Sequence, residues 1–162
     1  AHQFEKVLQL VPRENAKGEP INRSASLYGH ALKKVWHDST NEDYVRAYAR
    51  FDGGVEAQVK VGSLGATPMP LWTVLGTRGA AVIDNFGGEG SVTMVDDEGQ
   101  RLEAKIDPVT RDNGYYKNMT DHLLTGAPLI ITPEWAKGTI QCIEGCETAA
   151  RENRVVEVEF DF

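Results

Sequence analysis

The sequence predicts an α+β fold with a large, mostly antiparallel open sheet and helices on one face. Three observations lead to this prediction. Segments with alternating apolar residues follow one another through the first two thirds of the chain. Two loops between them carry glycine at the same third position. Two helical segments and a final alternating strand, 154–162, close the chain. With 162 residues, we expect a single domain spanning 1–162.

The first element is predicted to be the end of a helix. Apolar residues recur there at helical spacing: Phe4, Val7, Leu8 and Val11. Pro12 ends the helix. Because no capping residue or first turn precedes His2, we expect that upstream sequence has been lost. A polar loop, 13–22, and a strand, 24–36, are predicted next.

The first hairpin joins the alternating segments 44–51 and 55–61. Their apolar residues share a face only if Phe51 pairs with Val55, which leaves Asp52-Gly53-Gly54 as the loop. Three-residue loops need a left-handed third residue, and Gly54 supplies it.

A second hairpin follows the same rule. Val92 pairs with Ala104 across the loop 97–99, in which Gly99 is third. Segment 71–86 is predicted to form two strands around Gly76-Thr77-Arg78-Gly79. The sequence therefore predicts about seven strands, mostly consecutive and antiparallel, before the helices.

Both late helices carry clear end signals. Gly126 stops the first helix, which begins at about Tyr115, and Thr132 caps the second, with Pro133 at its first position. The buried stripe of the second helix is predicted to be Trp135, Thr139, Cys142, Ile143, Cys146 and Ala150. We expect both helices to cover one face of the sheet.

The other face of the sheet mixes charged and aromatic residues. In the predicted register Arg50 lies opposite Glu56, whereas Arg46 lies opposite Lys60 and repels it unless an anion intervenes. The strand 24–36 adds Tyr28, His30, Leu32, Lys34 and Trp36 to one side. This composition is typical of protein interfaces, and a solvated surface is the alternative.

Bulk composition excludes several classes of function. The net charge of −7 and the lack of a basic block argue against a nucleic-acid partner. The longest apolar runs are a few residues, so no membrane span is predicted, and no export leader is visible. Two cysteines without a disulfide framework suit a reducing compartment, and we expect a cytoplasmic protein.

No motif for cofactor or metal binding is found. The run Gly87-Gly88-Glu89-Gly90 leads into a predicted strand, where a dinucleotide site needs a helix, so a tight turn is predicted. Cys142 and Cys146 are expected to be small buried side chains, because no further ligands stand at metal spacing. The isolated His30, His37 and His122 are predicted to be structural or exposed.

Three passages in order, "EDYVRAYARFDGGVEAQV", "VLGTRGAAVIDNF" and "TGAPLIITPEWA", resemble the C-terminal domain of the Gfo/Idh/MocA oxidoreductase family. The resemblance implies a parent enzyme that uses NAD or NADP on a sugar, a polyol or a derivative. It also implies that the N-terminal Rossmann domain is absent here, so this fragment holds no cofactor and is inactive. Its remaining roles would be homo-oligomerisation through the open sheet face and lining of the substrate pocket.

The resemblance also suggests site residues. The opening "AHQFEKVLQLV" is similar to the second part of the family's Asp-x-Gly-x-His motif, with His2 as the catalytic acid/base and Glu5 as the acid that follows. The loops 64–70 and 107–114 would line the pocket, and Arg111, Asp112 and Asn113 would bind substrate hydroxyls. A solvated loop with a helix cap is the alternative for 111–113.

Two other classes of function remain open at this point. One is a stand-alone scaffold or small-molecule-binding module without redox activity. The other is a hydrolase or isomerase that uses Glu5, His2 and Asp112.

Overall fold

The fold was analysed in a computed structural model, which describes residues 2–62, 65, 67, 69–85, 88–106 and 114–161. The chain divides into two compact units, Ala1–Leu64 with Leu129–Phe162 and Gly65–Pro128. In chain order the elements are α1 His2–Leu10, β1 Ser24–Leu32, β2 Tyr44–Phe51, β3 Glu56–Gly62, β4 Trp72–Gly76, β5 Gly79–Ile83, β6 Gly90–Val95, β7 Arg101–Ile106, α2 Gly114–Thr125, α3 Pro133–Glu152 and β8 Val156–Glu159.

All strand pairs in the described part of the chain are antiparallel, and they form two four-stranded sheets. The first unit holds the sheet β3-β2-β1-β8, and the second holds β4-β5-β6-β7. The predicted α+β class is confirmed. The strands are divided between two sheets, where the sequence predicted one large sheet.

Both hairpins have the predicted register. The Phe51 amide donates to the Val55 carbonyl at 2.9 Å, and Gly54 takes the left-handed conformation with φ 86°. Strands β6 and β7 pair as predicted, and Gly99 has φ 81°. Glycine is favoured at both loop positions because a side chain would strain a positive φ.

The first strand is shorter than predicted, because β1 ends at Leu32 and does not reach Trp36. Beyond it the carboxylate of Asp43 accepts hydrogen bonds from the backbone amides of Lys34, Val35 and Trp36, the last at 2.9 Å. Asp43 is only 3% exposed. The bond from Val35 is the main reason that the pKa of Asp43 lies below its usual value. A buried carboxylate thus fixes this segment as a turn.

The core of the first unit lies between α3 and its sheet. Thr132 caps α3 by accepting from the Trp135 amide at 3.2 Å, Pro133 occupies the first turn, and Asn153 ends the helix in a left-handed conformation. The buried residues include Leu27, Ala47, Ala49, Phe51, Cys142, Cys146 and Ala149. Burying a large apolar side chain is worth about 1.5–3 kcal/mol, so this layer supplies much of the unit's stability.

Two glycines allow α3 to lie very close to the sheet. A Cβ on Gly29 of β1 would stand 2.0 Å from the Cys146 carbonyl oxygen, and one on Gly145 would stand 2.5 Å from a methyl of Leu27. The odd-numbered residues of β1 therefore face the helix, and the even-numbered residues face away from it.

Strand β8 forms one edge of the first sheet. Gln141 on α3 donates its side-chain amide to the Glu159 carbonyl at 2.8 Å, and Ser26 donates to the Glu157 carboxylate at 2.9 Å. These two bonds tie the short final strand to both of its neighbours.

Helix α2 of the second unit differs from the expectation that both late helices cover a sheet. It begins and ends close to the predicted positions, and Gly126 follows it with φ 74°. However, no residue of α2 is buried, and Leu123 and Leu124 are each 78% exposed. Of the helices in the described part of the chain, α1 and α3 bury apolar side chains, and α2 does not.

Among the described residues, no helix combines the length and the hydropathy that crossing a lipid bilayer requires.

Candidate functional site

His2 and Glu5 lie on the first turns of α1. Burial of Phe4, Val7 and Leu8 anchors this helix in the first unit, as the spacing predicted. His2 is exposed, and Glu5 is half-buried. Positions three apart share a helix face, so the two side chains project to the same side. The Glu5 carboxylate accepts from Gln9 and lies 3.4 Å from the Lys6 ammonium, so a neighbouring cation already partly balances its charge.

The other predicted substrate-binding residues are Arg111, Asp112 and Asn113. They fall in the segment 107–113, which lies outside the described residues, as does part of the loop 64–70. Their contact with a substrate therefore remains a prediction.

The three other histidines lie on other elements of the chain. The His122 ring nitrogen Nδ1 lies 2.7 Å from the Ala127 carbonyl, next to the C-terminal end of α2. His37 is exposed in the turn after β1, and His30 is exposed on β1. No group of three or more potential metal ligands occurs in the described ranges.

Both cysteines are buried thiols on α3, as predicted. Burial raises the pKa of Cys142 to about 12 and that of Cys146 to about 11. A nucleophilic or metal-binding cysteine needs its thiolate form, so these side chains serve packing.

The glycine-rich run before β6 forms a tight turn in its described part. The Asp84 backbone amide donates to the Glu89 carbonyl at 2.8 Å, the Gly88 amide donates to the Asn85 carbonyl at 3.1 Å, and Gly88 has φ 88°. The turn leads into a strand of an antiparallel hairpin. The parallel strand, glycine loop and helix that cradle a dinucleotide do not occur among the described residues.

The side of the first sheet that faces away from α3 carries a polar and aromatic surface. We call it the open face and define it by Ser26, Tyr28, His30, Tyr44, Arg46, Tyr48, Arg50, Glu56, Gln58 and Lys60. A shallow depression of about 460 Å³ lies over Tyr28, Tyr48 and Arg50. A smaller hollow of about 220 Å³ lies between α3 and β8. His2 lines neither of them.

Hydrogen bonds order the side chains of the open face. Arg46 donates to the Tyr44 hydroxyl through Nε at 3.2 Å and Nη2 at 2.8 Å, and Gln58 donates to the Tyr48 hydroxyl at 3.1 Å. The Tyr28 and Tyr48 rings are 6.5 Å apart. The bond to Tyr44 is the largest cause of a raised pKa at Arg46, which therefore stays charged. These bonds restrict the side chains of Arg46, Tyr44, Gln58 and Tyr48, which reduces the freedom that they would lose on binding.

Comparison with solved structures finds the same fold in larger proteins. An NAD-binding protein from Listeria innocua matches 96% of this chain with a TM-score of 0.73 and 21% identity, over 44% of its own length. An oxidoreductase from Bacillus cereus matches 98% of the chain with a TM-score of 0.73 and 18% identity, over 50% of its length. This chain has the fold of one half of these proteins.

A proposed NADPH-dependent oxidoreductase from Desulfitobacterium hafniense also matches, with a TM-score of 0.74 and 15% identity over 96% of this chain and 45% of its own. The chain thus spans about half the length of the solved proteins that it matches. The fold implied by the Gfo/Idh/MocA resemblance is confirmed. No protein-family model and no curated protein matches the sequence.

Proposed function

We propose that this chain is the C-terminal, substrate-side domain of an NAD(P)-dependent oxidoreductase acting on a sugar, a polyol or a derivative. One observation carries the proposal: 96% or more of the chain has the fold of half of a protein named as NAD-binding or as an oxidoreductase. The ordered passages that resemble the Gfo/Idh/MocA family support the same origin. The two cysteines, both free thiols, suit a cytoplasmic parent.

The fragment alone is proposed to be inactive. A nicotinamide dinucleotide does not fit the described residues, because their strands pair antiparallel and no glycine loop opens a helix. The parent would therefore bind NAD or NADP with residues outside this part of the chain. In the reaction of the parent, this chain would supply only residues that contact the substrate.

His2 is our candidate for proton transfer in the parent. An exposed imidazole on a helix anchored by Phe4 and Leu8 can reach a bound substrate while its backbone stays fixed. Imidazole titrates near neutral pH and can take the proton of a substrate hydroxyl. Glu5, on the same side of α1, would accept a hydrogen bond from a second hydroxyl. Arg111, Asp112 and Asn113 would contribute further bonds to the substrate.

Activity of the complete gene product tests this assignment. We expect the parent to reduce NAD or NADP with a polyol or sugar, and the isolated chain to give no turnover and no nucleotide binding. His2→Gln in the parent should lower kcat by about 10²–10⁴-fold. The control is His37→Gln, which changes an exposed histidine in a turn. A complete gene product without a dinucleotide-binding unit, or equal activity of both variants, would reject the proposal.

The open face is proposed to mediate homo-oligomerisation. Tyrosine and arginine are enriched at protein interfaces, and the hydrogen bonds from Arg46 to Tyr44 and from Gln58 to Tyr48 restrict these side chains before contact. The exposed Leu123 and Leu124 of α2 provide a second apolar surface suited to burial in a larger assembly.

Light scattering of the isolated chain over a range of concentrations tests the oligomer. Arg46→Glu and Tyr48→Ala should shift the population toward the monomer, whereas Lys17→Glu, in an exposed loop, should leave it unchanged. A wild-type chain that stays monomeric at high concentration would contradict the proposed interface.

The depression of about 460 Å³ on the open face favours a second candidate, a small-molecule-binding module without redox activity. The two candidates differ in one measurement. A binding module would retain its ligand in the isolated chain, and its parent would show no nicotinamide turnover.

A further inference from the structure

The depression on the open face is lined by two neighbouring cross-strand rows of different chemistry. In one row Tyr28 of β1 lies opposite Tyr48 of β2. In the next row Ser26 of β1 lies opposite Arg50 of β2, which lies opposite Glu56 of β3. All five residues line the same space of about 460 Å³, a size within the usual range of small-molecule sites. An aromatic row and a polar row therefore border one ligand-sized volume.

The two tyrosine rings form the aromatic row. Their centres are 6.5 Å apart, and their planes are inclined by 42°. Hydrogen bonds hold their hydroxyl ends, because Gln58 donates to the Tyr48 hydroxyl at 3.1 Å and the Tyr28 hydroxyl donates to Asn153 Oδ1 at 3.4 Å. Tyr48 is 39% exposed. The face of an aromatic ring is electronegative, so it attracts the weakly positive C–H groups of a sugar ring.

Arg50 and Glu56 give the polar row an adjacent donor and acceptor. Arg50 Nε stands 3.8 Å from a Glu56 carboxylate oxygen, and the two side chains are 74% and 75% exposed. An exposed ion pair of this kind contributes little to stability, so a ligand separates its partners at small cost. Because the two charges offset each other, the depression favours a neutral ligand over an anion or a cation. Of two neighbouring hydroxyls on a ligand, one accepts from the guanidinium and the other donates to the carboxylate.

We propose that the depression binds a neutral sugar, with its ring C–H groups against Tyr28 and Tyr48 and two of its hydroxyls on Arg50 and Glu56. A purely apolar ligand would remove water from the ion pair without replacing the lost hydrogen bonds. The inference rests on the ligand-binding role suggested above for this depression and names its ligand class. It needs neither a nicotinamide nor His2, which does not line the depression, so the redox role of the parent is tested separately.

The test is a titration of the chain with cellobiose at constant pH, followed by backbone amide NMR. We expect saturable shifts at residues 26–28, 48–50 and 56–57, and none with glycerol, which offers hydroxyls without a sugar ring. Tyr48→Ala should weaken binding by about tenfold or more, whereas Tyr48→Phe, which keeps the ring, should bind within about threefold of wild type. Glu56→Ala should also weaken binding by about tenfold, because it removes the acceptor for one hydroxyl.

Tyr44→Ala is the matched control, because Tyr44 lies on the same strand and face as Tyr48 but does not line the depression. It should bind cellobiose as wild type does, and the spectra report whether each variant is folded.

Four results would overturn the sugar site. Two of them are shifts that do not saturate and equal loss of binding in the Tyr44 and Tyr48 variants. The third is shifts that only follow dissociation of an oligomer in parallel light scattering, which would assign Tyr48 to contacts between copies of the chain. The fourth is saturable shifts with phenol or a proline-rich peptide but not with cellobiose, which would keep a binding module and reject the sugar. None of these results depends on whether the parent turns over nicotinamide.

Discussion

Gly29→Ala is the substitution that most directly tests the packing of α3 against its sheet. Gly29 lies in β1, an inner strand of the first sheet, and the Cβ position of this glycine faces α3. An added Cβ would stand 2.0 Å from the Cys146 carbonyl oxygen, 2.8 Å from its carbonyl carbon and 3.2 Å from its α-carbon. All three atoms belong to the helix backbone, so no side-chain rotation can relieve the contact.

The size of the effect follows from this distance. An ordinary contact begins at 3.4 Å, so helix and strand must move apart by about 1.4 Å at this point. The movement would loosen the contacts of Leu27 and Cys142, both 0% exposed. Overpacking of a close-packed core costs about 1–3 kcal/mol, and a clash between main chains belongs at the upper end. We expect a loss of about 3 kcal/mol, or about 6–12 °C in Tm for a chain of this size.

Denaturant unfolding followed by circular dichroism measures this loss. The matched control is Gly76→Ala on β4, where the added Cβ meets its nearest atom at an ordinary 3.5 Å. We expect this control to change the free energy of unfolding by less than about 0.5 kcal/mol. A Gly29→Ala protein as stable as wild type, or a Gly76→Ala protein equally destabilised, would refute the close approach of α3.

Three further predictions concern other parts of the first unit. The pKa of Asp43 is lowered in the folded chain, so its carboxylate stabilises the fold fully above the unfolded pKa of about 3.9, and this stabilisation is lost as pH falls through the folded pKa. Asp43→Asn should therefore lower Tm at neutral pH and flatten the dependence of Tm on acid pH. With pKa values of about 12 and 11, Cys142 and Cys146 should be alkylated at least about 100-fold more slowly in the native chain than in denaturant at pH 8. Removal of the α3 cap by Thr132→Ala should cost about 1 kcal/mol in urea unfolding.

Two of these predictions have a control variant. Asp52→Asn changes an exposed loop carboxylate and should leave the acid dependence intact, and Thr40→Ala removes an exposed hydroxyl and should be neutral. Alkylation of the native chain at the denatured rate would contradict the burial of the thiols. An Asp43→Asn protein with wild-type acid dependence would contradict the proposed role of its carboxylate.

The hairpins could be predicted in detail because their information is local. Two facing apolar sets and one left-handed glycine, Gly54 or Gly99, allow a single register. The ends of α3 were predictable for the same reason, since Thr132 and Pro133 act on the turn they occupy. The end of β1 could not be predicted from local sequence, because Asp43 fixes the backbone at residues 34–36 from across a turn.

Contacts between residues far apart in the chain could not be predicted from the local sequence pattern. The pairing of β8 with β1 joins residues more than 120 positions apart, and no local signal selects it. The repulsion of Arg46 and Lys60 was predicted from one hairpin, but their alignment with His30 depends on the register of β1 and β2 across a long turn. The site roles of His2 and Glu5 were predicted from the family resemblance alone. Their roles, like those of Arg111, Asp112 and Asn113, remain predictions.

The hydrogen bond from Gln141 to β8 affects the tendency of the chain to associate edge to edge at high concentration. An uncovered strand edge can template cross-β growth, because its main-chain groups offer bonds to another molecule. At β8 the Glu159 carbonyl is already occupied by Gln141, and the carboxylates of Glu157 and Glu159 would repel the same edge of an incoming copy. The strand is also only four residues long. This side of the molecule is thereby protected against fibril formation, and Gln141→Ala would weaken that protection.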